Sequence, residues 1–379
     1  MNLSAKNPTT SPTGTLTHRV FNFGAGPATL PVSVLEQLHA DLWNFQGLGA
    51  GVIEISHHSP EYKQMVDESL ALLRELLHIP PNYQVMTAHG GGQMHFSMVA
   101  YNLIGRLPAH KAVYIDTGSF ASRAAEIASR YGYVRVPASS RDTGYDRIPA
   151  FDPAWLDAET SYLHITANNT AMGTRYHSFP KTNGVPLVAD MTSEILSREL
   201  NIEDFGVIYA GAQKNLAPPG LALAIVREDL IGHALPDTPA LLDYKVVAED
   251  GRSLANTPST FAHYVMYRML QWVRDEGGVA VIEGRNEEKV GMVYQALDQS
   301  GFYRPHAHRE HRSIQNVTFD LPTPELLETF LKTADKEGLY ALRGHSARGG
   351  VRASLYNAMP VEGAIALADF MREFERTHG

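Results

Sequence analysis

Apolar residues recur along this chain in short uninterrupted runs that alternate with longer amphipathic stretches. The runs within KAVYIDTGS, YVRVPA, YLHITANNT, PLVAD, GVIYAGA and LALAIV read as strands, and the stretch from Phe120 to Tyr131 reads as one of the helices between them. Runs without polar alternation suit strands covered on both faces, so the pattern predicts an α/β fold with a mostly parallel sheet between helices. Upstream, Pro31 opens a helix with Leu35, Leu38 and Leu42 on one face. GVIEISHHSPEY reads as a short strand ending at His57 and His58, after which Ser59 caps and Pro60 opens a helix carrying Met65, Val66, Leu70, Leu73 and Leu77. A strand over Tyr83 to Thr87 leads through His89-Gly90-Gly91-Gly92-Gln93 into the helical MHFSMVAYNL.

The texture changes after Val226. A loop region precedes a helix with Phe261, Val265, Met269 and Trp272 at helical spacing, interrupted at Gly277-Gly278. Beyond it come a long helix, the strand SIQNVTFDL, a helix capped by Thr323, the strands GLYALRG and GGVRASLY, and a final helix bearing Leu367, Phe370, Met371 and Phe374. The expected organisation is a disordered Ser/Thr/Pro-rich tail over 1–18, a large domain with an N-terminal arm over 19–280 and a small C-terminal α+β domain over 281–379.

Composition narrows the function. With 379 residues, 44% hydrophobic and 19% charged, the chain can bury a sizeable core. Its 41 acidic against 32 basic residues give a formal charge of -9 with no Lys/Arg-rich stripe, which argues against nucleic acid. No apolar run approaches the ~18 to 20 residues that span a bilayer, and the N-terminal stretch lacks a signal-peptide core, so no membrane role and a cytoplasmic location are expected. The absence of cysteine removes disulfides, thiolate metal sites and cysteine nucleophiles.

Two of the strands each deliver a charged residue at their ends: PLVAD ends at Asp190, and GVIYAGAQK runs into Lys214. In open α/β sheets that edge is where ligands bind. A lysine, an aspartate and a glycine-rich helix start together fit pyridoxal 5'-phosphate. The amine forms an imine with the aldehyde, the carboxylate keeps the pyridine nitrogen protonated, and the helix N-terminus receives the phosphate. Each has a plainer reading: a solvated lysine, a helix-capping aspartate, a glycine turn. His306, His308 and His311 in PHAHREH have no carboxylate spaced to join them, so no metal is expected.

Across nearly the whole chain, FNFGAGPATLP, EISHHSPEY, HGGGQMHFSMVAYNL, YIDTGSF, the Asp190 and Lys214 segments, LANTPSTFA and RGHSARGGVRASLYNAMP resemble the phosphoserine aminotransferases. These are class V, fold-type I pyridoxal phosphate enzymes. The resemblance implies that Lys214 is the Schiff-base lysine and Asp190 the partner of the pyridinium nitrogen. It implies that Phe120 stacks on the cofactor ring, that Gly92, Gln93 and Gln213 meet its phosphate, and that Thr170 hydrogen-bonds it. Asn256 and Thr257 would complete that pocket from a second subunit, which implies a homodimer with shared active sites. The small-molecule substrates would be glutamate and a 2-oxo acid, 3-phosphohydroxypyruvate in the family's serine-biosynthetic reaction.

On the substrate side Arg352 sits at the arginine that grips the α-carboxylate, a task for a planar fork. His57 and His345 match family positions, but His58, Gln93 and Ser346 stand where arginines are expected in all or some members. Two readings remain open: Arg343, Arg348, His58 and His95 rebuild a cationic pocket for a substrate phosphate, or the pocket accepts an unphosphorylated or phosphonate 2-oxo acid. A cysteine desulfurase is excluded by the missing cysteine. A lyase and a non-catalytic cofactor-binding protein are the remaining alternatives.

Overall fold

The computed structural model describes residues 7–10, 16–249 and 251–379. Asn7–Thr10 (β1) and Leu16–Arg19 (β2) pair antiparallel, Asn7 opposite Arg19. The disordered tail expected over 1–18 is thus a two-stranded ribbon where it is described, since ladder hydrogen bonds satisfy a backbone without a core. Residues 1–6 and 11–15 of that expectation lie outside the described residues. Phe21–Asn22 (β3) and Val32–Asp41 (α1) follow. No strand forms over 51–59, contrary to the apolar pattern there. Its amide groups are taken up locally instead: Val52 donates to the Asp41 carbonyl at the end of α1, and Glu54 to Gly51. Pro60–Leu77 (α2) begins as expected, with the Ser59 hydroxyl accepting from the Tyr62 amide at 3.2 Å.

The central layer comprises Tyr83–Gly90 (β4), Gly92–Leu103 (α3), Lys111–Asp116 (β5), Ser119–Ala128 (α4), Tyr133–Ser139 (β6) and Thr160–Thr166 (β7). A tight ribbon of Asn168–Asn169 (β8) and Thr174–Arg175 (β9) precedes Leu187–Asp190 (β10), Val207–Gly211 (β11) and Gly220–Arg227 (β12). Seven of these strands form one sheet in the order β4-β12-β11-β10-β7-β5-β6, in which β12 alone runs against the rest. Every residue of β7, β10 and β11 is buried, as strands covered on both faces require. One face packs into a core with residues of α2 and later helices, the other into a core with residues of α3 and α4.

The remainder contains Tyr244–Ala248 (α5), Thr260–Asp275 (α6), Val279–Gln299 (α7), Arg304–Pro305 (β13), Asn316–Asp320 (β14), Pro324–Lys336 (α8), Leu339–Tyr340 (β15), Val351–Ser354 (β16) and Val361–His378 (α9). Strands β13, β14 and β16 make a small antiparallel sheet, and β15 pairs with β3. The apolar cores change over within α7. Val279 and Ile282 belong to the large core, whereas Val290, Val293 and Leu297 belong to the small one. Phe21 and Phe23 also pack in the small core, because β3 is held by β15. The N-terminal arm and the C-terminal unit therefore share a core that the linear division at 280 separates. Among the described residues no helix is long and apolar enough to cross a membrane.

The turn between β8 and β9 docks on the small sheet. Thr318 donates to the Met172 carbonyl at 2.7 Å, and a Cβ on Gly173, whose φ is +76°, would lie 2.6 Å from the Thr318 hydroxyl and 2.9 Å from the Asn316 carbonyl. Gly173→Ala should therefore lower stability by about 1–3 kcal/mol in denaturant unfolding. Gly284→Ala, at an exposed, uncrowded position inside α7, should raise it by up to ~1 kcal/mol.

Candidate active site

The C-terminal ends of the parallel strands deliver the site. Thr166 ends β7, Asp190 ends β10, and β11 runs through Ala212 and Gln213 into Lys214. Helix α3 starts directly after β4 at the same edge. A cavity of about 270 Å³ lies there, and Gly92, Gln93, Phe120, Thr170, Asp190, Gln213, Lys214, His345 and Arg352 all line it. Residues far apart in the sequence thus meet in one place.

Lys214 is 8% exposed, and its amine donates to the Thr170 hydroxyl. Burial pulls its pKa down to about 8, against the pull of Asp190 upward and with a further push from Arg352 downward. Asp190 is buried as well, and its Oδ1 accepts the Thr192 amide at 2.9 Å. Burial raises its pKa, while Thr192, Lys214 and the Tyr209 hydroxyl favour the carboxylate. The start of α3 is pressed against the loop after Asp190: a Cβ at Gly92 would lie 2.5 Å from the Thr192 hydroxyl. That approach requires glycine and leaves the amide end of a 12-residue helix at the cavity.

These groups fit pyridoxal phosphate. A desolvated amine suits an aldehyde, a buried carboxylate suits a basic ring nitrogen, a helix N-terminus suits a phosphate, and Phe120 offers a stacking face. On the opposite wall, Arg352 of β16 has a buried Nε without a hydrogen-bond partner, and among the described residues no carboxylate pairs with it. It is placed to receive a carboxylate from outside. His345 accepts the Ala347 amide on Nδ1 at 3.1 Å, which puts its proton on Nε2, and Phe120 meets its ring edge-on at 5.8 Å. Burial, then Arg352 and Lys214, lower its pKa, so at neutral pH it is a neutral donor.

Other expected site residues lie outside this cavity, among them the two expected to act from a second subunit. The rings of His57 and His58 lie 3.9 Å apart with their planes tilted by 41°, and Asn256 and Thr257 are exposed ahead of α6; none of the four lines the cavity of its own chain. The cationic pocket that one of the two readings drew from Arg343, Arg348, His58 and His95 does not form within the chain. Arg343 pairs with Glu328 at 2.7 Å, Arg348 with Asp320 at 2.8 Å, and His95 is buried against Tyr209 with neither ring nitrogen bonded. Carboxylates near in space outcompeted nearness in sequence. His306 bonds the Gly144 carbonyl and His308 the Asp146 carboxylate, each at 3.1 Å, so these two histidines tie a loop down, using a carboxylate distant in sequence. Thr166, Asn168, Thr192 and Ser193 also line the cavity and escaped the sequence reading, although Thr192 and Ser193 directly follow Asp190.

The family model for class V aminotransferases matches residues 20–367. A phosphoserine aminotransferase of Geobacillus kaustophilus (strain HTA426) is 44% identical over 361 residues, covering 94% of this chain and 99% of the relative. The solved phosphoserine aminotransferase from Bacillus circulans subsp. alkalophilus superposes with a TM-score of 0.91 at 39% identity, covering 96% of this chain and 100% of that one. A PLP-bound phosphoserine aminotransferase from Trichomonas vaginalis does so with a TM-score of 0.88 at 30% identity, covering 93% and 100%.

Only a neutral amine attacks an aldehyde. The rate at which pyridoxal phosphate couples to the cofactor-free chain, followed by stopped-flow absorbance, should rise with pH through a midpoint at about 8. Arg352→Gln should move that midpoint up and Asp190→Asn should move it down, because the first removes a like charge and the second an opposite one.

Proposed function

Because the chain belongs to the class V aminotransferases, and within them to the phosphoserine aminotransferases, we propose that Lys214, Asp190 and Arg352 transfer the amino group of glutamate to 3-phosphohydroxypyruvate. The products are 2-oxoglutarate and phosphoserine, and pyridoxal phosphate is the cofactor. The observation that carries this reading is the cavity itself, where a desolvated amine, a buried carboxylate and an unpaired guanidinium face one another.

When bound, pyridoxal phosphate supplies an aldehyde that exchanges amino groups and a ring that accepts electrons. The chain supplies everything else. The first turn of α3, with Gly92 and Gln93, would hold the phosphate together with Gln213. Asp190 would keep the ring nitrogen protonated, and Phe120 would offer its face to the ring. Thr170, which already bonds the Lys214 amine, would hold that amine in place and offer a hydrogen bond to the cofactor. Arg352 orients the substrate through its α-carboxylate, so that the bond to the α-hydrogen faces Lys214. The Lys214 amine, once free, takes the proton from the substrate α-carbon and returns it to complete the transfer. Its lowered pKa leaves a useful neutral fraction near physiological pH.

The working unit in this reading is a homodimer. Asn256, Thr257, His57 and His58 do not line the Lys214 cavity of their own chain and would act in that of a second copy. The exposed Trp43, Leu48 and Ile53, close in sequence to the histidine pair, supply apolar surface for such a contact. The distal charge of the acceptor would then meet His345 from one copy and His57 and His58 from the other. A cytoplasmic location belongs to the same proposal, resting on the biosynthetic reaction.

Lys214→Ala should abolish the borohydride-reducible linkage between chain and cofactor, read by mass spectrometry of the reduced protein. Arg352→Gln should lower kcat/KM for glutamate and for the acceptor alike by about thirtyfold or more, as loss of a buried charge pair does. With glutamate as donor, 3-phosphohydroxypyruvate should outrun pyruvate, hydroxypyruvate, phosphonopyruvate and oxaloacetate. Equal or faster turnover of an acceptor lacking phosphate would sink the phosphoserine reading.

A further inference from the structure

Behind Asp190 the sheet carries a second polar group that the reaction above does not use. In the ladder Asp190 stands opposite Tyr209 on β11 and opposite Thr166 on β7, while His164 of β7 stands opposite Val188. Residues in register, and residues two apart, share a face, so Asp190, Tyr209 and His164 lie on one side of the sheet. There the His164 Nε2 reaches the Tyr209 hydroxyl at 2.8 Å, across the strand that ends in Asp190. Tyr209 and His164 are 0% and 1% exposed. Both rings are clamped: His164 stacks on Tyr114 at 4.5 Å, and His95 of α3 stacks on Tyr209 at 5.2 Å, with its plane tilted by 12°.

The direction of this chain of hydrogen bonds follows from counting protons. A phenol has one to give, and an ionised carboxylate can only accept. Tyr209 stands in register with Asp190 on the same face, which makes that carboxylate the acceptor for the phenol proton, so the bond to His164 is assigned with Nε2–H donating to the Tyr209 oxygen. The other nitrogen agrees: His164 Nδ1 is buried with no partner. A bare lone pair is tolerated there more readily than an orphaned N–H, and burial pulls the imidazole pKa down to about 3, which keeps it neutral.

We propose that His164 and Tyr209 form a directed relay, His164 to Tyr209 to Asp190, that positions the Asp190 carboxylate and holds it ionised toward the cofactor's ring nitrogen. The inference rests on the transaminase reading above and deepens it, since both are positioning residues that touch neither substrate nor cofactor. Without the relay, a carboxylate whose surroundings favour protonation loses one of the donors that oppose it. The Lys214 linkage would still form, but the ring nitrogen would be held less firmly as a cation.

The test compares binding of pyridoxal phosphate and of 1-deazapyridoxal phosphate, which has C–H in place of the ring nitrogen, to the cofactor-stripped full chain. Quenching of intrinsic fluorescence gives both Kd values. Wild type should prefer the natural cofactor strongly, and Tyr209→Phe and His164→Leu should each shrink that preference by about tenfold, the worth of a hydrogen bond to a charged group. His164→Gln, which keeps an N–H near Nε2, should recover most of the preference. In the reloaded enzymes kcat should fall with little change in the KM for glutamate. Thermal midpoints separate general damage, which weakens both ligands equally, from loss of the relay. The relay is overturned if the preference is unchanged in Tyr209→Phe, or if His164→Gln behaves as His164→Leu does. A wild-type chain that bound neither compound would instead overturn the functional reading itself, and the relay with it.

Discussion

An amine and a carboxylate buried side by side at one sheet edge set the terms for the rest of this structure. Removing either charge from water is unfavourable unless partners replace the lost hydration. The fold provides them sparingly: Thr170 for Lys214, and Thr192 with Tyr209 for Asp190. Enough desolvation survives to hold the lysine at about 8, far below an ordinary lysine. The fully buried strands β7, β10 and β11 are what make that possible, since layers on both faces keep water away. Reactivity here comes from packing as much as from the residue.

The opposite wall is held to this edge by a polar clasp. Asn168, just beyond β7, donates to Asn316 and to Ser193 at 2.8 Å each, and Asn316 donates to Ser354 at 3.0 Å. Ser354 belongs to β16, the strand of Arg352. The same contacts therefore fix Thr170, the loop after Asp190 and the guanidinium relative to one another. Each member is buried with its hydrogen-bonding capacity largely used, an arrangement that favours one geometry over many. The docked turn at Gly173 adds backbone contact to that clasp.

Charge is distributed with similar economy. Arg343 and Arg348 are taken by Glu328 and Asp320, so the cavity wall keeps Arg352 for a carboxylate and a neutral His345 as a donor. In the proposed dimer the remaining recognition comes from side chains of a second copy. The surface carrying His57, His58, Asn256 and Thr257 then belongs to an active site even though it borders none within its own chain.

The division between what the sequence determines and what folding decides follows from the range of the forces involved. Apolar runs ending at Asp190 and Lys214, the glycines before α3, and the Ser59 and Thr323 caps are local signals. Local physics places them correctly, and the resemblance along the whole chain makes the family legible as well. The short strand expected at 51–59 is a local reading that failed, because a strand needs a neighbour that only the fold provides. Nearness in sequence likewise misplaced Arg343, Arg348 and His95, whose partners lie in other elements. The lysine's pKa, the unpaired guanidinium and the bond from His164 to Tyr209 across β10 are properties of burial and strand register. No pattern along the chain encodes them, because they exist only once separate strands lie side by side and water has left the space between them.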